Sequence, residues 1–197
     1  MSDPPSRSRL FPLIGFVWFL AAVIVGASGL LLRVAPPRPQ LLIVGLTGLL
    51  IAAGVFVPSF RSWLASVDLR SVIAMHLTRF IGIYFLVLYS RGLLPFDFAV
   101  LGGWGDIVIA ATALLWLVFT REPAAHRTLL WVWNLCGLLD IVFVVITATR
   151  IGKADPASMG PLRTLPLSLL PTFLVPLIIA SHVLIFWRLR RAPHGQA

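Results

Sequence analysis

Six stretches of this chain each approach the ~20 apolar residues that a helix needs to cross the hydrocarbon of a bilayer, and together they use most of its 197 residues. They fall at Leu10–Leu32, Leu41–Phe60, Ser71–Arg91, Pro95–Phe119, Thr128–Ala148 and Leu165–Trp187. In lipid every backbone N–H and C=O must be satisfied within the protein, so only helices and closed barrels span. Barrel strands show alternation over about ten residues, and a run such as LLIVGLTGLLIAAGVFV does not alternate. The expected fold is therefore all-α, a polytopic membrane protein with a six-helix transmembrane domain over residues 10–187. A polar N-terminal tail (1–9) and a basic cytoplasmic tail (188–197) flank it. Only 12% of the residues are charged, about half the share of a soluble domain.

The net charge of +9 does not point to nucleic acid. Fifteen of the sixteen basic residues are arginine, and nearly all lie in short loops and tails, where membrane topology places them. With the N-terminus inside, nine fall on the cytoplasmic side (Arg7, Arg9, Arg61, Arg70, Arg121, Arg127, Arg188, Arg190, Arg191). Six fall opposite (Arg33, Arg38, Arg91, Arg150, Lys153, Arg163). That bias favours an N-in, C-in orientation with the lipid bilayer as the main partner. The lone Cys136 rules out an internal disulfide and reads as a small buried residue. Arg7, Arg9 and the apolar run after them mimic a signal peptide, but the run is long and further spans follow, so it reads as a retained first helix.

Between the second and third spans, RSWLASVDLR has the pattern of a short interfacial helix. Gly92-Leu93-Leu94 is so short that the third and fourth spans form an antiparallel hairpin, with Pro95 and Asp97 opening the next helix. RIGKADPASMGPLR reads as the longest loop. In the sixth span Pro166, Pro171 and Pro176 recur every five residues. The last two free the carbonyls of Leu167 and Thr172 and predict a kink. By helical spacing Pro171, Ser168 and His182 fall on one side of that helix, a stripe suited to a gate or cleft, while the plainer reading is a static kink repaired by its neighbours. GGWGD at 102–106 follows no strand, so it reads as small-residue packing beside an aspartate and not as a phosphate loop.

Depth in the membrane singles out a few residues. Arg79, Asp106 and Asp140 each fall within about two residues, roughly 3 Å, of the midpoint of the third, fourth and fifth span. Each such charge costs about 2.5–3.5 kcal/mol at a helix centre, so three unpaired would cost on the order of 8–10 kcal/mol. They must face inward, and Arg79 serves Asp106, Asp140 or both. One cation against two carboxylates leaves either a protonated aspartate or room for a second cation, which is what a proton or cation pathway needs. The plainer alternative is an ion pair that fixes helix register.

A second layer holds His76, Asn134 and His182, roughly 7–9 Å to the cytoplasmic side of the midplane. On an ideal α-helix His76 and Arg79 are about 60° apart and can face one interior. Two histidines at one depth read first as a hydrogen-bonded interior pair, and they also suit axial ligation of a haem between helices. Otherwise no cofactor is expected: zinc and di-iron spacings are missing, as are a triad and a nucleophile elbow. His126 and His194 fall in loop and tail.

The succession RFIGIYFLVLYSRGLLPFDFAVLGGWGD, WNLCGLLD and LPTFLVPLIIASH resembles a group of uncharacterised small multi-pass membrane proteins common in bacteria. The resemblance covers about residues 76–182 and leaves the first two spans outside. It implies a bacterial inner-membrane address and no particular activity. The expected function is binding or transport of a proton, cation or small polar solute, with Arg79, Asp106 and Asp140 as the charge site. His76, Asn134 and His182 line the inner layer, and Pro171 and Pro176 kink the sixth helix. The alternatives are a haem-binding redox protein using His76 and His182, or a structural subunit.

Overall fold

A computed structural model describes residues 5–34 and 37–191, so the outer ends of both tails, His194 included, lie outside the described residues. The chain is helical throughout, with no strand among the described residues. Its α-helices are α1 (Pro5–Ala27), α2 (Arg38–Phe56), α3 (Pro58–Ser66), α4 (Leu69–Ala74), α5 (Ile81–Ser90), α6 (Gly103–Phe119), α7 (Arg127–Ala154) and α8 (Val175–Arg191). Joined through short 3-10 and π turns, they give six helical stretches long and apolar enough to cross a membrane. These are Leu10–Ala27, Arg38–Phe56, Leu69–Ser90, Asp97–Phe119, Pro123–Ala154 and Leu170–Arg191.

The observed ends differ from the expected ones for local reasons. Helix α1 starts at Pro5, inside the expected tail, and stops at Ala27 because Gly29 takes a left-handed φ of 68° that an α-helix cannot continue through. Leu30–Arg33 then form a 3-10 turn. Helix α2 ends at Phe56 because Val57, which precedes Pro58, is pushed into the extended region (φ −105°, ψ 100°). Pro58 opens α3, so the short helix lies three residues ahead of the expected segment. Helix α7 runs on through Ala154, turning RIGKA from loop into helix.

The chain forms two compact units. The first comprises Met1–Ser66 with Gly160–Leu177, and the second Val67–Met159 with Ile178–Ala197. In the first, the two carbonyls freed by proline are both satisfied. The Leu167 oxygen accepts from the Leu170 N–H at 3.0 Å. The Thr172 oxygen accepts from the indole N–H of Trp18 at 2.9 Å, and Phe173 packs edge-on to the same ring. Leu170–Leu174 form a π turn, so the sixth span is not the uninterrupted α-helix on which a Pro171–Ser168–His182 stripe depends. The kink is thus repaired by its neighbours. Losing the indole donor leaves a buried carbonyl unpaired at about 1–3 kcal/mol. Trp18→Phe should therefore lower the thermal midpoint in detergent. In a Pro176→Ala background, where residue 176 again supplies an N–H to Thr172, the same change should cost less. Equal losses in both backgrounds would show that the indole hydrogen bond contributes nothing.

In the second unit the third stretch opens on Asp68, whose carboxylate accepts from the Ser71 N–H at 3.3 Å. Arg70 donates to the Thr120 carbonyl and, at 2.6 Å, to that of Leu117, capping the end of α6. Helix α5 closes in a Schellman motif: Leu93 N–H bonds Leu88 O at 2.9 Å, Gly92 N–H bonds Tyr89 O at 2.8 Å, and Gly92 has φ 69°. The reversal sets α5 against α6. Asp97 stands in the first turn of the π stretch Asp97–Gly102 that opens the fourth span, as expected, and pairs at 2.8 Å with Arg150 in an exposed ion pair. Val72, Ile73, Ile109, Trp116, Leu130 and Ile185 belong to the apolar cluster shared by the helices of this unit.

Candidate functional site

The third helical stretch is not α-helical where the polar residues sit. Met75–Phe80 wind as a 3-10 helix, and Thr78 Oγ1 donates to the Met75 carbonyl at 2.7 Å, three residues back. In a 3-10 helix residues three apart eclipse, whereas in an α-helix they slip by about 60°. His76 and Arg79 therefore lie one above the other on one line and not 60° apart. The buried side of this stretch reads Ile73, His76, Arg79, Gly82, Phe85 and Leu88, every third residue. Tight winding is what lets one face carry both polar groups inward.

Arg79 is 1% exposed and makes three bonds with its guanidinium. Its Nε donates to Asp106 Oδ1 at 2.7 Å, its Nη2 to Asp140 Oδ2, and its Nη1 to the Gly137 carbonyl at 2.9 Å. It thus bridges α6 and α7. The two carboxylates differ in surroundings: the Asp106 side chain is 4% exposed and that of Asp140 17%. Glycines make the approach possible. A methyl group at Gly105 would lie 1.8 Å from Asp140 Oδ1, and one at Gly82 would lie 2.3 Å from the Gly103 oxygen and 3.1 Å from Asp106 Cβ. Within GGWGD it is Gly105 that receives the second carboxylate and Gly103 that meets α5, while Gly102 faces Val144.

The histidine layer is fully buried, with His76, Asn134 and His182 each at 0% exposure. Asn134 clasps His182 twice. Its Nδ2 donates to the His182 carbonyl at 3.0 Å, which leaves its Oδ1 to accept from His182 Nδ1 at 2.8 Å. Ser181 gives its hydroxyl proton to the Ile178 carbonyl at 2.7 Å, so its oxygen accepts from His76 Nε2 at 3.2 Å. These bonds assign the tautomers: His182 carries its proton on Nδ1 and His76 on Nε2. Of the remaining nitrogens, His76 Nδ1 is buried with no hydrogen-bond partner, whereas the Nε2 side of His182 lies against the Gly137 backbone. The two rings touch, with centroids 4.4 Å apart, and Trp133 stands edge-on to His76 at 5.2 Å. The Trp133 indole donates to Thr112 Oγ1 at 2.9 Å, tying α7 to α6. Gly137 joins the two layers: its carbonyl takes the Arg79 bond, and a methyl on its Cα would lie 3.2 Å from His182 Nε2.

Axial imidazoles on a haem iron stand on opposite faces of the macrocycle, and touching rings leave no slot for one between them. The haem alternative fails on that geometry. Pro171 and Pro176 belong to the other compact unit, where their freed carbonyls are already bonded. Cys136 is exposed, contrary to the small buried residue expected from its depth.

Residues 36–190 match the model of a family described as "Domain of unknown function (DUF8737)". The chain belongs to that family. No curated protein and no solved structure matches it. The DUF8737 match takes in α2 as well as the later helices, so it is wider than the resemblance over 76–182. It contains every residue of the polar site.

Four members of the site in this DUF8737 chain escape a reading of polar residues by depth. Gly82, Gly105 and Gly137 carry no side chain to flag them, and Ser181 stands beside His182 as an ordinary interior hydroxyl. The signal that finds Gly82 is the every-third-residue run from Ile73 to Leu88.

Proposed function

We propose that the second unit of this multi-pass membrane protein binds and exchanges a proton or small cation at the Arg79–Asp106–Asp140 group. Asp140 is the exchanging ligand, Asp106 the held carboxylate and Arg79 the counter-charge. In this reading the protein resides in a bacterial inner membrane, N-in and C-in, and the histidine layer lies on the cytoplasmic side. The observation that carries it is charge balance: one guanidinium bonds two carboxylates, so the group is one positive charge short of neutral. An ionisable residue at membrane depth without full compensation marks an ion or proton path. The greater exposure of Asp140 makes it the carboxylate at which exchange takes place.

The test is flux in liposomes containing the full chain, read with an internal pH dye under an imposed pH gradient. Wild-type protein should carry a pH-dependent flux. Asp140→Asn should reduce it to the level of protein-free liposomes while elution in detergent stays monodisperse. Unchanged flux in Asp140→Asn would overturn the assignment. A second reading, an ion pair that only sets helix register, is favoured by the third bond of Arg79, which goes to a backbone carbonyl. It predicts no flux from wild-type protein and lost folding in Asp140→Asn.

A further inference from the structure

We infer that the start of α7 and the end of α8 form a binding site for one anionic phospholipid, with its phosphate held between Arg127 and Arg190. The site lies at one end of the second unit and is independent of the exchange proposed at Asp140.

The apolar cluster packs Val67 and Leu69 with Leu117, Leu130 and Leu189. The start of the third stretch, the end of α6, the start of α7 and the end of α8 therefore share one end of the unit. That end carries Arg70, Arg121, Arg127, Arg188, Arg190 and Arg191 against two acids, Asp68 and Glu122. The opposite end carries Arg91, Arg150 and Lys153 against Asp97 and Asp155, and there Arg150 is paired with Asp97. Within the basic end, Arg70 is committed to the carbonyls that close α6. Arg190 and Arg191 are exposed, and the guanidinium of Arg191 lies 4.3 Å from the centroid of the Trp187 ring. An excess of positive charge at the end of membrane helices draws anionic headgroups.

Two contacts fix how α7 and α8 run against each other. Trp131 meets Phe186 edge-on with centroids 5.5 Å apart, and Asn134 bonds His182. Numbering rises along one helix as it falls along the other, so the two are antiparallel. Residues four apart lie on one face of a helix, one turn or about 6 Å from each other. One turn outward from the ring pair stand Arg127 on α7 and Arg190 on α8. Two arginines thus flank one level, and the planar fork of a guanidinium matches the oxygens of a phosphate. Tryptophan prefers the boundary between hydrocarbon and headgroup, and Trp131 is 42% exposed there. Further inward, Val142 and Val183 are exposed and continue the apolar wall. The order from arginines to rings to aliphatic wall is the order of a phospholipid from phosphate to acyl chain. A soluble anion would use the arginines alone, so the exposed rings and wall commit the site to a lipid.

The experiment uses the full chain purified in a nonionic detergent, with dioleoylphosphatidylglycerol or dioleoylphosphatidylcholine added back in separate series. Phosphatidylglycerol should raise the thermal midpoint more than phosphatidylcholine does, and native mass spectrometry should show one phosphatidylglycerol retained per chain. Arg127→Gln and Arg190→Gln should each weaken that binding about fivefold, and the double variant about 25-fold. Arg61→Gln removes an equal charge from α3 and should leave binding unchanged. An equal loss in Arg61→Gln would reveal a diffuse charge effect and overturn the site, as would full preference for phosphatidylglycerol in the double variant. Equal binding of the two lipids by wild-type protein overturns it alone, without any variant having to fold. Displacement of the lipid by soluble glycerol phosphate would mark a site for free anions and overturn the assignment to a phospholipid.

Discussion

Arg79→Leu is expected to abolish folding: the variant should elute from detergent size exclusion as aggregate and lose its cooperative thermal transition. The side chain is buried and its guanidinium serves Asp106, Asp140 and the Gly137 carbonyl together. Removing one partner of a buried ion pair costs about 3–5 kcal/mol, because the other charge stays behind unpaired. Here one removal strands two carboxylates, a penalty comparable with the ~5–15 kcal/mol that holds a typical domain together. Replacing a whole buried charge group by neutral residues is often close to harmless. The triple variant Arg79→Leu/Asp106→Asn/Asp140→Asn should therefore recover a monodisperse, cooperatively unfolding protein, and it should carry no flux. The separation is useful, since it would show charge balance to be a condition of folding and the charges themselves a condition of function. A single Arg79→Leu variant as stable as wild type would mean that the carboxylates are satisfied without it.

Much of this arrangement is legible from where polar residues fall along apolar runs. A charge at mid-span has few places to go in lipid, so equal depth is enough to group Arg79 with Asp106 and Asp140, and His76 with Asn134 and His182. Winding and packing are not legible in that way. The 3-10 segment at Met75–Phe80 stacks His76 over Arg79, but its sequence, MHLTRF, contains no glycine or proline to announce a change of pitch. Helix α1 stops at Ala27 because of a single left-handed glycine, in a run whose hydropathy continues unbroken. The π turn at Leu170–Leu174 shifts the phase of everything after it, so arithmetic carried from Pro171 to His182 at α spacing misleads. The glycines that admit Asp140 and let α5 meet α6 look like any small residues of a membrane helix until the partner atoms are known.

Those glycines give the second large effect. Gly82→Ala should disrupt the site as thoroughly as loss of a charge, although the substitution adds one methyl group and alters no polar atom. The methyl would lie 2.3 Å from the backbone oxygen of Gly103, while a contact below 3.0 Å is essentially never seen for a real Cβ. The oxygen belongs to helix backbone and cannot rotate away, so α5 and α6 must part. The same methyl would meet Asp106 Cβ at 3.1 Å, and the separation therefore acts on the carboxylate that Arg79 Nε holds at 2.7 Å. Overpacking of this kind costs about 1–3 kcal/mol in ordinary cores. Here stretching of the ion pair adds to it, and helix contact in lipid depends on small residues at the crossing. The expected result is a lowered thermal midpoint together with loss of flux. Gly45→Ala and Gly48→Ala provide the control, because a methyl at either position meets nothing within 4 Å. Both should stay within about 0.5 kcal/mol of wild type, as surface substitutions usually do. If Gly82→Ala unfolds at the wild-type temperature, α5 and α6 do not meet at Gly82 and Gly103. If it is destabilised yet keeps full flux, Asp106 does not depend on the crossing, and its bond to Arg79 is set by α6 and α7 alone.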